Sequence, residues 1–127
     1  MRSLALVLIL SACVGTAARE NVLLPALSVT WSVIVAPAIT DGLAASDLPA
    51  EAVELRLAAV ERVQLLLDSG DAAKALTIVG IWPVLEPLAL AGIEARLADG
   101  DIGPGVAASL RETVRLFGVR LAQLVAS

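Results

Sequence analysis

An apolar stripe between residues 49 and 69 constrains the fold of this chain more than any other feature. Apolar side chains recur there at intervals of three and four residues, and the charged residues lie mostly off the stripe. That spacing places the apolar side chains on one face of an α-helix, and such a face must be covered by neighbouring elements. No segment shows the two-residue alternation of a half-buried strand, so we predict an all-α fold. The stripe consists of Val53, Leu57, Val60, Val63 and Leu67.

The connections between the helical segments carry residues that start and stop helices. Ser46 or Asp47 is expected to cap the second segment, with Pro49 near its first turn. Gly70 should end that helix, and Asp71 should cap the next one. Short connections favour antiparallel neighbours, so we predict an antiparallel bundle of about four helices. The predicted segments run over about 19–45, 49–69, 71–98 and 104–126.

Prolines are expected to kink one or two of these helices. Pro25 suits the first turn of the first segment, whereas Pro37 should kink or end it. Pro83 and Pro87 lie inside the third segment, which is therefore predicted to be kinked or split into two shorter helices.

The fourth segment has an apolar stripe of the same kind as the second. It consists of Val106, Leu110, Val114, Phe117, Leu121 and Leu124.

Charge and composition disfavour several classes of function. The net charge is −4 and no basic run occurs, which disfavours a nucleic-acid-binding protein. The chain has no histidine and a single cysteine, so the common nucleophile–base pairs are missing. We therefore predict no catalytic residue, no cofactor and no enzymatic activity. An enzyme that uses paired carboxylates is the alternative with the least support.

The junction around Asp99, Gly100 and Asp101 contains part of the pattern of a calcium-binding loop. Such a loop needs oxygen ligands at alternating positions, and Gly103 stands where the third ligand belongs. Aspartates at a glycine-containing junction are also typical of helix capping, which is the interpretation that we favour. No metal site is predicted.

The first thirteen residues have the layout of a bacterial secretory signal. Arg2 is followed by an uncharged, mostly aliphatic run over residues 3–12, shorter than the roughly 20 apolar residues that span a bilayer. The run leads into Leu10-Ser11-Ala12-Cys13, which resembles the lipobox of bacterial lipoproteins. In that family the signal is cut before the cysteine, the thiol carries diacylglycerol, and the new amino group is usually acylated too.

This resemblance implies a membrane anchor at Cys13, with signal cleavage between Ala12 and Cys13. Val14 stands where an aspartate commonly retains such proteins in the inner membrane of Gram-negative bacteria. The resemblance therefore implies the outer membrane, facing the periplasm, with the inner membrane as the alternative. The competing interpretation of Cys13 is a buried structural thiol in an N-terminal helix. The implied parts are a signal peptide (1–12), a lipidated tether (13–18) and a helical bundle domain (19–127).

Trp82 and Glu86 are the candidate contacts with an unidentified protein partner. Glu86 interrupts an otherwise apolar run, and we expect it at the exposed edge of a kinked helix. A buried carboxylate with a functional role is the alternative. Trp82 is expected in the core, and an exposed tryptophan that anchors a partner is the alternative.

An integral membrane protein is the main competitor of the lipoprotein hypothesis. Residues 22–39 are uncharged and residues 75–93 contain one charge, so both approach spanning length. A small holin of the phage type, with two or three spans, has this general layout. The prolines and Glu86 in these segments disfavour it, and it leaves the position of Cys13 unexplained. We therefore predict a small lipid-anchored cell-envelope protein, bacterial or prophage-encoded, with a non-enzymatic structural or protein-binding role in the periplasm.

Overall fold

The computed structural model describes residues 16–126, with side chains from Leu23 onward. Its helices are α1 (Thr16–Thr30), α2 (Ala36–Ala44), α3 (Ala50–Asp68), α4 (Ala75–Ala98) and α5 (Pro104–Ala126). Because one wide turn joins α1 to α2 end to end, the five helices form four rods, and residues 16–126 contain no strand. The prediction of an all-α bundle of about four helices is confirmed.

A π-helical turn over Trp31–Val35 joins α1 to α2, and we call the continuous α1–α2 helix the first rod. In this turn the N–H of Ala36 donates to the carbonyl oxygen of Trp31, five residues earlier. Pro37 accounts for the wider turn, because it has no N–H and its ring would clash with the carbonyl of Val33 in a regular α-helix. The predicted disturbance at Pro37 is therefore a widened turn within a continuous helix.

Two predictions about the region around the start of α1 are wrong, one on the position of Pro25 and one on the end of the tether. Pro25 lies in the interior of α1 and not in a first turn, because the helix already begins at Thr16. The last three residues of the predicted tether, residues 16–18, are helical for the same reason. The first rod thus begins very close in sequence to Cys13.

Gly70 and Asp71 form the predicted junction between α3 and α4. Gly70 has a φ of 73°, a left-handed conformation that glycine adopts without steric cost just after a helix. An Asp71 carboxylate oxygen accepts a hydrogen bond from the backbone N–H of Ala73 at 3.0 Å. It thereby caps the short 3₁₀ turn that leads into α4.

Replacing Asp71 with alanine is expected to lower the free energy of unfolding by about 1 kcal/mol, the usual cost of losing a helix cap. The matched control is Asp101→Ala, because α5 begins only at Pro104 and the capping expected at this junction is wrong for the Asp101 side chain. Urea denaturation followed by circular dichroism measures both variants. Equal effects of the two substitutions would contradict the capping role of Asp71.

The start of α3 differs from the prediction. Pro49 itself occupies the cap position in an extended conformation, with no side-chain capping hydrogen bond. The Ser46 hydroxyl instead donates to the carbonyl of Leu43, at the end of the preceding helix. The prediction that Ser46 or Asp47 caps α3 is therefore wrong, because Pro49 takes the cap position itself, with a φ of −60° and a ψ of 152°.

Helix α4 is uninterrupted although it contains Pro83 and Pro87. Each proline removes one backbone hydrogen bond from the helix. Both rings are exposed, on the side where water can replace the missing bonds. The alternative of two shorter helices in this segment is therefore wrong.

Helices α4 and α5 run antiparallel. Glu94 of α4 forms an ion pair with Arg111 of α5, whereas Trp82, earlier in α4, lies against Gly118, later in α5. The core lies between the first rod, α4 and α5, and none of the described polar or charged residues is buried in it. Helix α3 adds Val60, Val63 and Leu67 to this core.

The two predicted stripes are confirmed over most of their length and wrong near their N-terminal ends. Leu57 is exposed, because a step of four residues from Val53 overshoots a helical turn and carries it to the edge of the buried face. Val106 is exposed in the first turn of α5, where the neighbouring Ala107 is buried instead.

The first rod and α4 cross in backbone contact at two glycines. A Cβ atom added at Gly42 would overlap the carbonyl oxygen of Leu88, and one added at Gly92 would overlap the carbonyl oxygen of Ala38. Only a residue without a side chain permits this approach, which suits Cα–H···O contacts between the two helices. The crossing therefore depends on glycine at both positions.

Candidate functional site

The three aromatic side chains of the chain form one cluster in the core. The ring of Phe117 lies 5.5 Å from that of Trp31 and 5.0 Å from that of Trp82, measured between ring centroids. Trp31 is completely buried, and its indole N–H has no hydrogen-bond partner among the described residues. The cluster joins the first rod, α4 and α5 around Phe117.

Trp82 links this cluster to Glu86. Its indole N–H donates to a carboxylate oxygen of Glu86, one turn along α4, at 3.0 Å. Gly118 makes room for the ring, since a Cβ atom at that position would overlap the indole nitrogen. Trp82 is 9% exposed and belongs to the core, as expected, while Glu86 is half-buried. A contact with a partner protein at this place stays a prediction. Glu86 would form most of it, because Trp82 is buried.

Replacing Glu86 with leucine is expected to lower the free energy of unfolding by about 1–2 kcal/mol. The indole N–H of Trp82 would then be covered without an acceptor, which costs about that much. Glu86→Gln is the matched control, because its amide oxygen can still accept the hydrogen bond. Urea denaturation with tryptophan fluorescence compares the two, and a loss as large in Glu86→Gln would show that the hydrogen bond is unimportant.

A groove of about 380 Å³ opens between α4 and α5 beside Glu86. Its charged groups already have partners: Arg111 pairs with Glu94, and Arg115 donates two hydrogen bonds to Glu112. The hydrogen bonds from Arg115 hold the pKa of the Glu112 carboxyl below its ordinary value. The groove thus presents paired charged groups beside the apolar side chains of Leu90 and Ala108. It is lined by Glu86, Leu90, Ala108, Arg111, Glu112 and Arg115.

A second groove, of about 340 Å³, lies near the end of α4. Arg96 of α4 approaches Asp41 of α2 at 4.0 Å across it, and Asp99 and Asp101 also line it. Among the side chains that the structure describes, from Leu23 onward, no three cysteine, aspartate or glutamate residues are grouped so that they could hold a metal ion. Asp41 and Arg96 thus act mainly as an ion pair between the two rods.

Two described segments are long and apolar enough to cross a membrane. They are Leu23–Ala44, with a mean hydropathy of 1.7, and Ala72–Ala98, with a mean hydropathy of 1.8. Length and composition alone define this finding, and core helices of soluble bundles share both properties. In this fold the two segments are the first rod and α4, which pack against each other.

The remaining predicted site residues, Ala12 and Cys13, lie outside the residues that the structure describes. No protein-family model, curated protein or solved structure matches the chain.

The sequence analysis singled out Trp82 and Glu86 but missed Gly118, Arg111 and Arg115, which lie beside them. Helical periodicity places Arg111, Arg115 and Gly118 on one face of α5, at steps of four and three residues. Nothing in the sequence indicated that this face lies against α4.

Proposed function

We propose that the protein is a small lipid-anchored protein of the bacterial cell envelope, encoded by a bacterium or a prophage. It is attached through Cys13 and acts without catalysis, by contact with another protein. The lipobox-like Leu10-Ser11-Ala12-Cys13 supports the anchor. Helix α1 begins three residues after Cys13, so the bundle would stand directly at the membrane surface.

The observation that carries this proposal is the position of the charged groove along α4. Glu86 lies near the middle of Ala72–Ala98, and any 20-residue span within that segment keeps it at least about 7 Å from either end. Arg111, Glu112 and Arg115 of α5 lie beside it. Charged side chains cost about 3 kcal/mol each at the centre of a bilayer, so this bundle suits water better than lipid.

The periplasmic face of the outer membrane is the proposed location. Val14, in place of an aspartate, favours the outer membrane over the inner one by resemblance to other lipoproteins. The chain has no histidine and a single cysteine, so the common nucleophile–base pairs are missing. The bundle, with its two grooves, would therefore serve as a structural or protein-binding module. Glu86 and the groove beside it are the proposed contact with the partner.

An integral membrane protein of the holin type is the second candidate. The crossing at Gly42 and Gly92 favours it, because transmembrane helices commonly pack through small residues that let their backbones approach. The two candidate spans are the helices that form this crossing. In this case Cys13 would have no special role.

Growth with a labelled fatty acid distinguishes the two candidates. The wild-type protein is expected to take up label and to be shortened by removal of residues 1–12. The matched Cys13→Ser variant is expected to take up no label and to leave the membrane fraction on alkaline extraction. A wild-type protein that stays unlabelled and full-length would overturn the lipid anchor, and retention of Cys13→Ser after extraction would favour spanning helices.

A further inference from the structure

The outward side of the first rod is exposed and carries no charge over about four turns. Residues 21–40 contain no charged side chain. Val29 and Val33, near the middle of this side, are 62% and 65% exposed. The exposed residues here extend over about 22 Å along the helix axis. We call them the first-rod face, and they are Pro25, Val29, Ser32, Val33, Pro37 and Thr40.

The π-helical turn keeps the first-rod face in line across the junction of α1 and α2. Pro25, Val29, Val33 and Pro37 follow one another at steps of four residues, and each such step overshoots a regular helical turn by about 40°. Three steps would carry Pro37 about 120° around the rod. The wider turn over Trp31–Val35 removes much of this drift, and Pro37 is exposed like the others. The two halves of the rod therefore share one continuous face.

The two hydroxyl groups of the first-rod face are hydrogen-bonded within the helix. The Ser32 hydroxyl donates to the carbonyl oxygen of Val29 at 3.2 Å, and the Thr40 hydroxyl donates to that of Ala36 at 3.0 Å. Serine and threonine use the same bonds in helices that face lipid, where water is missing. The first-rod face can therefore leave water without leaving a hydroxyl donor unpaired.

Charged groups surround the first-rod face but do not enter it. Asp68, at the end of α3, borders it near the middle of α1, and Asp41 follows it in α2, paired with Arg96. The outer side of α3, in contrast, exposes Glu54 and Arg62 among its apolar residues. An uncharged face bordered by charges is typical of a helix that lies in the plane of a membrane surface, with its charged groups at the level of the lipid headgroups.

We propose that the first-rod face rests on the bilayer, so that the first rod lies along the membrane surface. This inference rests on the proposed anchor at Cys13. Helix α1 begins at Thr16, and the three residues from Cys13 span at most about 11 Å, so the anchor holds the start of the rod at the membrane. Stable anchoring commonly combines acyl chains with a second contact, which the first-rod face provides.

The residue types of the first-rod face suit lipid better than a protein partner. The face offers aliphatic side chains and prolines, without the tryptophan, tyrosine or arginine that usually dominate protein contacts. Its hydroxyl donors are already used, so it has little to offer a partner that is recognised by hydrogen bonds. The contact involves the first rod alone, and the groove beside Glu86 stays in water.

Cysteine labelling in native membranes tests whether the first-rod face is covered. In the full chain with Cys13 intact, Val33→Cys is expected to react at least roughly tenfold more slowly with a charged maleimide than Leu65→Cys. Leu65, on α3, is the matched control because it is 71% exposed, against 65% for Val33. Detergent is expected to bring the two rates together. Equal rates in the intact membrane would overturn the proposal.

A lipid-borne quencher tests whether lipid is what covers the face. The purified acylated variants, with a fluorophore on Val33→Cys or Leu65→Cys, are placed in vesicles of phosphatidylethanolamine and phosphatidylglycerol. A nitroxide on the acyl chain close to the headgroup is expected to quench the fluorophore at position 33 and to leave that at position 65 bright. A bright fluorophore at position 33 would overturn the contact with lipid, including the case in which a second copy or another protein covers the face.

Fatty-acid labelling of the same variants separates this inference from the proposed anchor. Uptake of label with rapid maleimide reaction at Val33→Cys would leave the anchor in place and overturn the contact of the first rod with lipid. Slow reaction at both Val33→Cys and Val84→Cys would indicate spanning helices and overturn the inference and the anchored bundle together. The expected result is uptake of label, slow reaction at position 33 and rapid reaction at position 84.

Discussion

Phe117→Ala is expected to lower the free energy of unfolding by about 3–5 kcal/mol, the usual cost of removing a buried phenyl ring. The ring is 2% exposed and lies between Trp31 and Trp82, so its loss leaves a cavity where three rods meet. The chain has only three aromatic residues, and no other large ring can fill that space. A domain of this size is stable by about 5–15 kcal/mol, so the variant would lose much of its stability.

The matched control for this variant is Leu116→Ala, at the neighbouring position on the exposed side of α5. Leu116 is 37% exposed and is expected to contribute much less to stability. Urea denaturation followed by tryptophan fluorescence measures both, since both tryptophans contact Phe117 and report directly on the cluster. A loss at position 117 no larger than that at position 116 would contradict the proposed centre of the core.

Gly92→Ala is expected to lower the free energy of unfolding by about 3 kcal/mol, the upper part of the range for overpacking a core. The added methyl group would overlap the carbonyl oxygen of Ala38, which belongs to the backbone and cannot move aside without shifting the first rod. In an exposed helix the same substitution would be stabilising, because alanine favours the helix by up to about 1 kcal/mol over glycine. The sign of the change in the free energy of unfolding therefore shows whether the backbones of the first rod and α4 are in contact at Gly92.

Helix α4 provides its own control at Gly80. A Cβ atom there has no neighbour within 4 Å, so Gly80→Ala is expected to raise the free energy of unfolding by about 0.5–1 kcal/mol. Two identical substitutions on one helix are thus expected to act in opposite directions. Thermal and urea denaturation of both variants provide the comparison, and stabilisation by Gly92→Ala would contradict the close approach of the first rod and α4.

Local sequence signals accounted for much of the fold. Helical periodicity identified the stripes on α3 and α5, and Gly70 with Asp71 marked a helix junction correctly. The sequence signals were weaker where more than one residue could occupy the same helix-cap position. Pro49 replaced Ser46 and Asp47 at the start of α3, because its fixed φ suits a cap position without any side-chain hydrogen bond.

Contacts between segments that are distant in the sequence could not be predicted from the sequence. Gly42 and Gly92 lie within apolar runs, and the sequence did not indicate that their backbones touch. The same holds for Gly118, which admits Trp82, and for the pairing of α5 with the face of α4 that carries Glu86. Such contacts depend on the rotation and register of whole helices, which a stripe of aliphatic residues specifies only loosely.

The proposed function depends on whether α4 lies in water or in lipid. Val84 lies near the middle of α4 and is 49% exposed, so it would face water in the proposed bundle and hydrocarbon in a spanning helix. Asp47 lies outside both candidate spans and is exposed in either case. A cysteine at each position therefore separates the two arrangements.

The most direct measurement is labelling of Val84→Cys in native membranes with a charged maleimide that does not cross lipid. Asp47→Cys serves as the positive control, and the unaltered chain reports any reaction of Cys13 itself. We expect Val84→Cys to be labelled at a rate close to that of Asp47→Cys, and the unaltered chain to stay unlabelled because its thiol carries lipid. Labelling of Val84→Cys only after detergent is added, with Asp47→Cys labelled throughout, would contradict the lipid-anchored bundle.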